Sequence, residues 1–285
     1  VMAVLSKAGC NMGACHGNQN GKGGFSLSLR GQDHAGDYKT LTRDQFGRRA
    51  DLLDPEASLL LLKPTMQIAH EGGRRFAKDS QEYQILHSWI AGGMKADDAN
   101  QPKLERLEVS PQSQVLVEPQ AEVALSVEAV FSDGSRRDIR SLAVYEPASG
   151  LAAVDHDGRV RFSGFGEVTV LVRYLHVQVP VELAYIPARP DFAWANPPER
   201  NFVDKHVFAK LRSLKMKPSE LCTDQEFLRR AYLDTIGMLP TADSGASRAP
   251  DHRASSRHTP STSSELPVVA TRSNVVLLCR PSTAS

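Results

Sequence analysis

The rhythm of hydrophobic and polar positions changes several times along the chain. From about residue 104 to residue 186 it alternates. Val123, Leu125, Val127, Ala129 and Phe131 are interleaved with Ala124, Ser126, Glu128 and Val130, and Val168, Val170, Val172 and Tyr174 repeat the device. A period of two sends one set of side chains into a core and the other to an outer face. Asp133-Gly134 and Asp157-Gly158 are turn dipeptides at strand ends. Short strands broken by turns at such intervals predict an all-β sandwich. No cysteine pair crosses the stretch, so the disulfide of antibody domains is not expected.

Helical periods flank this region. Tyr83, Leu86, His87 and Ile90 share a face of a helix over Gln81–Ala91. Ser80 or Asp79 can cap its start, and Gly92-Gly93 ends it because glycine enters the left-handed region without strain. A second helix is expected from Asp54-Pro55 through Leu59 to Leu62. Beyond the strands, Ile186 to Arg200 is a Pro-rich linker. Val203, Val207, Leu211 and Leu214 then form a helical stripe, and Thr223 with Glu226 forms a capping box for a further helix ended by Gly237 and Pro240. Residues 242–285 are rich in Ser, Thr, Pro, Arg and Ala. Only Leu266–Ala270 and Val275–Cys279 read as strand-like there, so this tail is expected to be low-complexity, or to follow a change of reading frame after about Ala242.

Composition changes little in this picture. The chain has 285 residues, 41% hydrophobic and 24% charged, with 34 basic and 33 acidic side chains and a net charge of +1. That is ordinary globular composition for two or three domains. No basic run points to nucleic acid, and no apolar stretch reaches the length of a transmembrane segment. The first residue is Val and no leader precedes the first cysteine, which reads as a fragment or a mature form without its signal peptide.

The four cysteines do change the picture. Cys222 and Cys279 are isolated, but Cys10 and Cys15 stand in the run Gly9-Cys10-Asn11-Met12-Gly13-Ala14-Cys15-His16-Gly17. Two thiols followed at once by an imidazole suit covalent attachment of a c-type haem: the thiols form thioethers with the vinyl groups and His16 meets the iron. The usual spacing is C-x-x-C-H and this one is C-x4-C-H, so two extra residues must bulge outward, and Asn11 and Gly13 tolerate such a turn. A local Cys10–Cys15 disulfide, or a zinc site completed by His16 and a fourth ligand, are the alternative readings.

A sixth iron ligand is expected from the loop Lys63 to Gly73. His70 gives bis-histidine ligation, and Met66 is the alternative, which raises the reduction potential. His70 is favoured because Gly72-Gly73 beside it allow close backbone approach to a flat ring. His87, on the apolar face of the last helix, is a third candidate ligand and is read rather as a core or rim residue. Phe25, Leu27 and Leu29 alternate and are expected to wall the haem. Arg75 and Lys63 are read as solvated charges, with pairing to the haem propionates as the alternative; His34, His156, His176 and His206 are read as surface residues and Cys222 as a buried thiol.

These residues resemble a family. Lys7 to Asn11, Cys15-His16-Gly17 and Gly24-Phe25-Ser26-Leu27-Ser28-Leu29 are similar to the cytochrome start of large secreted proteins of planctomycete-type bacteria. Gly47-Arg48-Arg49, Ser58 to Thr65, His70-Glu71-Gly72-Gly73 and Phe76 are similar to its middle, and Tyr83 to Gly92 to its last helix. Val154 to Val160 with Gly166 to Val170 resembles a group 2 bacterial Ig-like repeat. Phe227 to Asp234, Gly237 and Leu239-Pro240-Thr241 resemble the opening of that family's domain of unknown function.

The resemblance implies a multidomain chain. An all-α c-type cytochrome-like domain (1–100) precedes an all-β Ig-like sandwich (104–186), a linker (187–200), a truncated helical segment (201–241) and the tail (242–285). It also implies one covalent haem c at Cys10 and Cys15, with His16 as the proximal ligand. The expected function is that of an exported, periplasmic or extracellular electron-transfer protein with a redox partner protein. The alternative is a cell-envelope scaffold that binds a polysaccharide or protein through the Ig-like domain and keeps Cys10–Cys15 as a structural disulfide. No acid/base pair, nucleophile triad or phosphate loop is recognisable to support catalysis.

Overall fold

The structure is a computed structural model that describes residues 1–98, 100–220 and 222–241. The tail, its two strand-like runs and Cys279 lie outside the described residues. The chain divides into two compact units, Val1–Ala188 and a second that begins at Arg189.

The first unit is dominated by ten strands. They are β1 Leu104–Ser110, β2 Ser113–Val117, β3 Glu122–Ala124, β4 Ser126–Phe131, β5 Arg136–Asp138, β6 Val144–Pro147, β7 Ala152–Val154, β8 Arg159–Phe162, β9 Gly166–Tyr174 and β10 Val177–Ile186. They form sheets of order β1-β4-β5, β2-β10-β9-β6 and β3-β8-β7. Pairing is antiparallel except between β10 and β2, which run parallel from Glu182 opposite Ser113 to Ile186 opposite Val117. The alternating residues face inward. Leu125, Val127, Ala129 and Phe131 meet Val168, Val170 and Val172 in one core with Leu116, Val160, Val181 and Leu183. Gly134 and Gly158 take the positive φ that their turns require, 78° and 82°. An immunoglobulin-like sandwich is compatible with this arrangement.

Residues 1–98 are not the all-α domain that the sequence suggested. Their helices are short: α1 Met2–Lys7, α2 His34–Thr42, α3 Leu59–Leu62 and α4 Gln81–Ala91. Between them the chain runs in 3-10 turns and loops. The cause is backbone conformation. Gly9, Gly23, Gly24, Gly31, Gly47 and Gly73 lie at positive φ, and so do Arg30, Gln45, Phe46 and Met66, so no helix can propagate through these points. The helix expected from Asp54 breaks in the same way: Pro55–Ala57 forms a 3-10 turn and Ser58 is extended before α3. α4 forms as predicted, capped by Ser80 accepting from the Tyr83 amide. Gly93 rather than Gly92 takes the left-handed conformation at its end.

A second apolar core holds these turns together. Val4, Leu5, Leu27, Leu41, Leu60, Leu61, Phe76, Tyr83, Leu86 and Ile90 pack in it, and Leu142 from the strand-rich half packs against it. Polar bonds join the two halves around Leu142. Lys7 Nζ donates to the carbonyls of Ala143 (2.6 Å) and His156 (2.9 Å), and it lies 4.8 Å from the centre of the Tyr145 ring. His156 Nε2 meets the buried Glu82 carboxylate at 2.6 Å, and Ser141 Oγ donates to Gln81 Oε1. His156, read from sequence as an unpartnered surface residue, is therefore part of a joint.

In the second unit, α5 spans Phe202–Ser213 and α6 spans Asp224–Ile236. The Thr223–Glu226 capping box forms and Gly237 closes α6 at φ 70°. The buried side of α5 is Asp204, Phe208 and Leu211, one step round from the expected stripe, and Val203 is exposed. Asp204 is buried because its Oδ2 accepts from the Arg200 amide. Cys222 is only half-buried, contrary to the expectation of a buried thiol.

Glu82 makes the joint pH-dependent. Burial alone would raise its carboxyl, but the hydrogen bond with His156 and its backbone bond outweigh this and hold it below its ordinary 4.5. A carboxylate lowered on folding adds stability above its unfolded value and loses it as pH falls through the folded value. The stability advantage of the wild type over Glu82→Gln should therefore be full above about pH 4.5 and shrink below it. Urea unfolding of both proteins across that range measures this; a pH-independent difference would remove the pair from the account.

Candidate functional site

The loop from Gly9 to Gly17 is wound tightly rather than bulged freely. Cys15 N donates to Met12 O, His16 N to Cys10 O, and Gly17 N to Met12 O, at 2.9 to 3.0 Å. The left-handed residue is Gly9, at φ 73°, not Asn11 or Gly13. Asn11 is wholly buried, donates to Ser6 Oγ at 2.8 Å, and receives the Arg30 amide on its backbone carbonyl. Gly17 packs so closely on the loop that a Cβ there would overlap the Asn11 carbonyl, and one on Gly9 would overlap the Arg75 guanidinium.

This winding brings Cys10, Cys15 and His16 to one wall of a cavity of about 250 Å³, and His70 also lines it. Cys10 and Cys15 are free thiols, so the disulfide considered from sequence is not formed. Burial, the largest influence, pushes the Cys10 thiol up to about 11, so it is protonated at neutral pH.

The two imidazoles are near-parallel, with planes 14° apart and centres 6.5 Å apart. His16 Nδ1 lies 3.0 Å from the Phe25 carbonyl, and His70 Nδ1 lies 2.8 Å from the Gly73 carbonyl. A carbonyl only accepts, so each Nδ1 carries a proton, which in the neutral tautomer leaves the lone pair on Nε2. Burial, ahead of the opposing Phe25 bond, lowers His16's proton affinity and favours the neutral ligand form.

These residues fit an iron porphyrin better than a bare ion. An iron held between two imidazoles takes one ring nitrogen from each, at about 2 Å. A backbone carbonyl on the other ring nitrogen is the usual support of a ligating histidine. Among the described residues, no three His, Cys, Asp or Glu side chains group closely enough to hold a metal by themselves. A zinc site, which takes four such ligands, therefore has no donor set among them. Lys22, Arg48, Arg49, Lys63 and Arg75 line the same cavity against the single acid Glu71, which pairs with Lys22 at 3.3 Å. An anionic ligand suits such a wall.

The structure leaves other candidates outside. Met66 is 46% exposed and does not line the cavity. His87 stacks on Tyr83 at 5.9 Å instead. Of the expected wall, Phe25 lines the cavity, Leu27 is in the core and Leu29 is exposed. Arg75 and Lys63, read as solvated charges, both line the cavity. Sequence reasoning gave Arg48 and Arg49 no role at the site; they figured there only in the Gly47-Arg48-Arg49 run of the resemblance.

Comparison with known proteins adds a match outside this cavity. Residues 202–260 match the family described as PSCyt2, a protein of unknown function (DUF1549). The matched stretch runs past Ala242, where the sequence pattern changes. No curated protein matches the chain. Among solved structures, domains 4 and 5 of the S-layer protein SbsC are similar at 14% identity and a TM-score of 0.26, covering 30% of this chain and 53% of that one. The longer SbsC fragment 31–844 is similar at 15% identity and 0.27, and domains 1–6 at 16% and 0.27. The chain spans 14% and 15% of those two. No helix among the described residues is long and apolar enough to cross a membrane.

The wound loop gives a direct expectation. Gly17→Ala should destabilise the first unit by about 1–3 kcal/mol, since a Cβ there meets rigid backbone. Gly73→Ala, which meets only strain from positive φ and no neighbouring atom, should cost less. Chemical denaturation of the two variants measures the order, and equal losses would contradict the close packing at Gly17.

Proposed function

We propose that the first unit binds one covalent c-type haem through Cys10 and Cys15, with His16 and His70 as the two axial ligands, and that its function is electron transfer. The observation that carries this reading is the pair of near-parallel imidazoles, each tied through Nδ1 to a backbone carbonyl, in one cavity with both thiols. When bound, the haem supplies an iron that cycles between two oxidation states.

The chain's own residues do the rest. Cys10 and Cys15 would hold the group covalently as thioethers, and Cys10 is kept as the protonated thiol at neutral pH by its burial. His16 and His70 present Nε2, and the carbonyls of Phe25 and Gly73 hold the tautomer and the ring orientation. Lys22, Arg48, Lys63 and Arg75 along the wall would receive the anionic edge of the ligand and keep negative charge from lying unpaired in a partly buried site. Bis-histidine ligation places the potential below that of a His/Met site.

The chain further resembles secreted planctomycete-type proteins with a cytochrome domain, a group 2 bacterial Ig-like domain and a domain of unknown function, and the match at residues 202–260 supports the last of these parts alone. On that resemblance the protein works outside the cytoplasm, in the periplasm or beyond, and passes electrons to a redox partner protein. The strand-rich half would act as a docking module for that partner or for an envelope polysaccharide.

The full chain, produced in a host that attaches haem c, should show a c-type α-band and keep its colour through acid–acetone extraction. His70→Ala should move the ferric spectrum toward high spin or His/Met character, and Met66→Ala should leave it unchanged. Haem lost on extraction would refute covalent attachment, and the reverse pattern in the two variants would assign Met66 instead.

A further inference from the structure

We propose that Arg49 is a positioning residue for His16, acting through the Phe25 ring and the Gly24 carbonyl to set the orientation of the imidazole in the cavity. The proposal rests on the reading of His16 as an axial ligand.

Arg49 is only 6% exposed. Its Nη1 donates to the carbonyls of Thr40 (3.3 Å) and Asp44 (3.2 Å), and its Nη2 to that of Gly24 (3.1 Å). The same guanidinium lies over the Phe25 ring, 4.5 Å from its centre. Phe25 in turn touches His16 twice: the ring centres are 4.7 Å apart, and the Phe25 carbonyl receives His16 Nδ1–H. A column therefore runs from Arg49 through Phe25 to His16.

The backbone just before Phe25 needs such an anchor. Gly23 and Gly24 both lie in the left-handed region, at φ 65° and 67°, where glycine leaves the chain free to swing. Arg49 binds the second of these glycines and stacks on the residue that follows. Its other two carbonyls belong to α2 and to the turn after it, so the anchor is tied to formed structure. Only a planar, multiply donating group can stack and donate to three carbonyls together; lysine cannot. Burying a cation at a cavity wall is unfavourable unless its bonds are used, and burial does lower Arg49's proton affinity. A tie between loops alone would not require the stacked ring.

The orientation matters because the Nδ1–H bond makes the ring a stronger donor to the metal. A swung Phe25 weakens that bond, and the ferric state loses part of its stabilisation. The test uses the full chain with covalent haem, as wild type, Arg49→Lys, Phe25→Leu and the double variant. Arg49→Lys keeps the charge and removes the stacked plane. It should shift the low-spin ferric EPR signal and raise the midpoint potential. Phe25→Leu should also shift the signal, and adding Arg49→Lys to it should move neither quantity further.

An unmoved signal and potential in Arg49→Lys, with only a lower urea midpoint, overturns the proposal in favour of a plain loop tie. An equal shift in both backgrounds also overturns it, since Phe25 would then be bypassed. If Arg49→Lys gives no holoprotein, Phe25→Leu carries the test alone, and an unchanged signal there is the overturning result. A wild-type chain without covalent haem refutes the underlying reading itself; a haem-bearing wild type with unmoved variants refutes the column only.

Discussion

The closure of the Gly9–Gly17 loop on its own backbone is the constraint on which the candidate site depends. Seven residues from Cys10 to His16 must return two thiols and an imidazole to one wall. The loop does this without a helix, by bonding His16 N to Cys10 O and both Cys15 N and Gly17 N to Met12 O. Every other element of the site is placed against that knot. The Leu27 amide bonds to His16 O and the Arg30 amide to Asn11 O, so the segment carrying Phe25 is laid along the loop rather than beside it. Arg75 reaches across to the Ala8 carbonyl and brings with it the turn that holds His70. The cavity exists because the loop leaves no room to collapse, not because a bundle of helices surrounds it.

How much of this was legible in the sequence varies with the range of the causes. The strands were readable because period-two alternation is local and each strand carries its own record of which face is inside. The same holds for the Thr223–Glu226 capping box. The N-terminal half was misread as all-α because its helical cues, such as the stripe on α4, are real but confined. The left-handed turns at Arg30, Gln45, Phe46 and Met66 are unusual for residues with a Cβ, and nothing in their identity announces them. The buried face of α5 came out one step round because Asp204, a polar residue outside the apolar stripe, is satisfied inside by the Arg200 amide.

The site divides along the same line. Cys10, Cys15 and His16 could be proposed together because they are neighbours in sequence, and His70 because glycines flank it. The Arg49–Phe25–His16 column could not, since its members are separated by nine and more residues and its geometry depends on glycines at positive φ. His156 was set aside as a surface residue for a similar reason: its partner Glu82 is 74 positions away.

Lys7 bears on how such a chain comes to be finished. It sits three residues before Cys10, yet both carbonyls that hold it, on Ala143 and His156, lie 136 and 149 positions downstream. Contacts of that span form late, because the intervening chain must first be made and ordered. During synthesis the Gly9–Gly17 loop therefore emerges early, and its approach helix stays untethered until β6 to β8 exist to receive it. The strand-rich half thus sets when the helix leading to Cys10 and Cys15 is tied down.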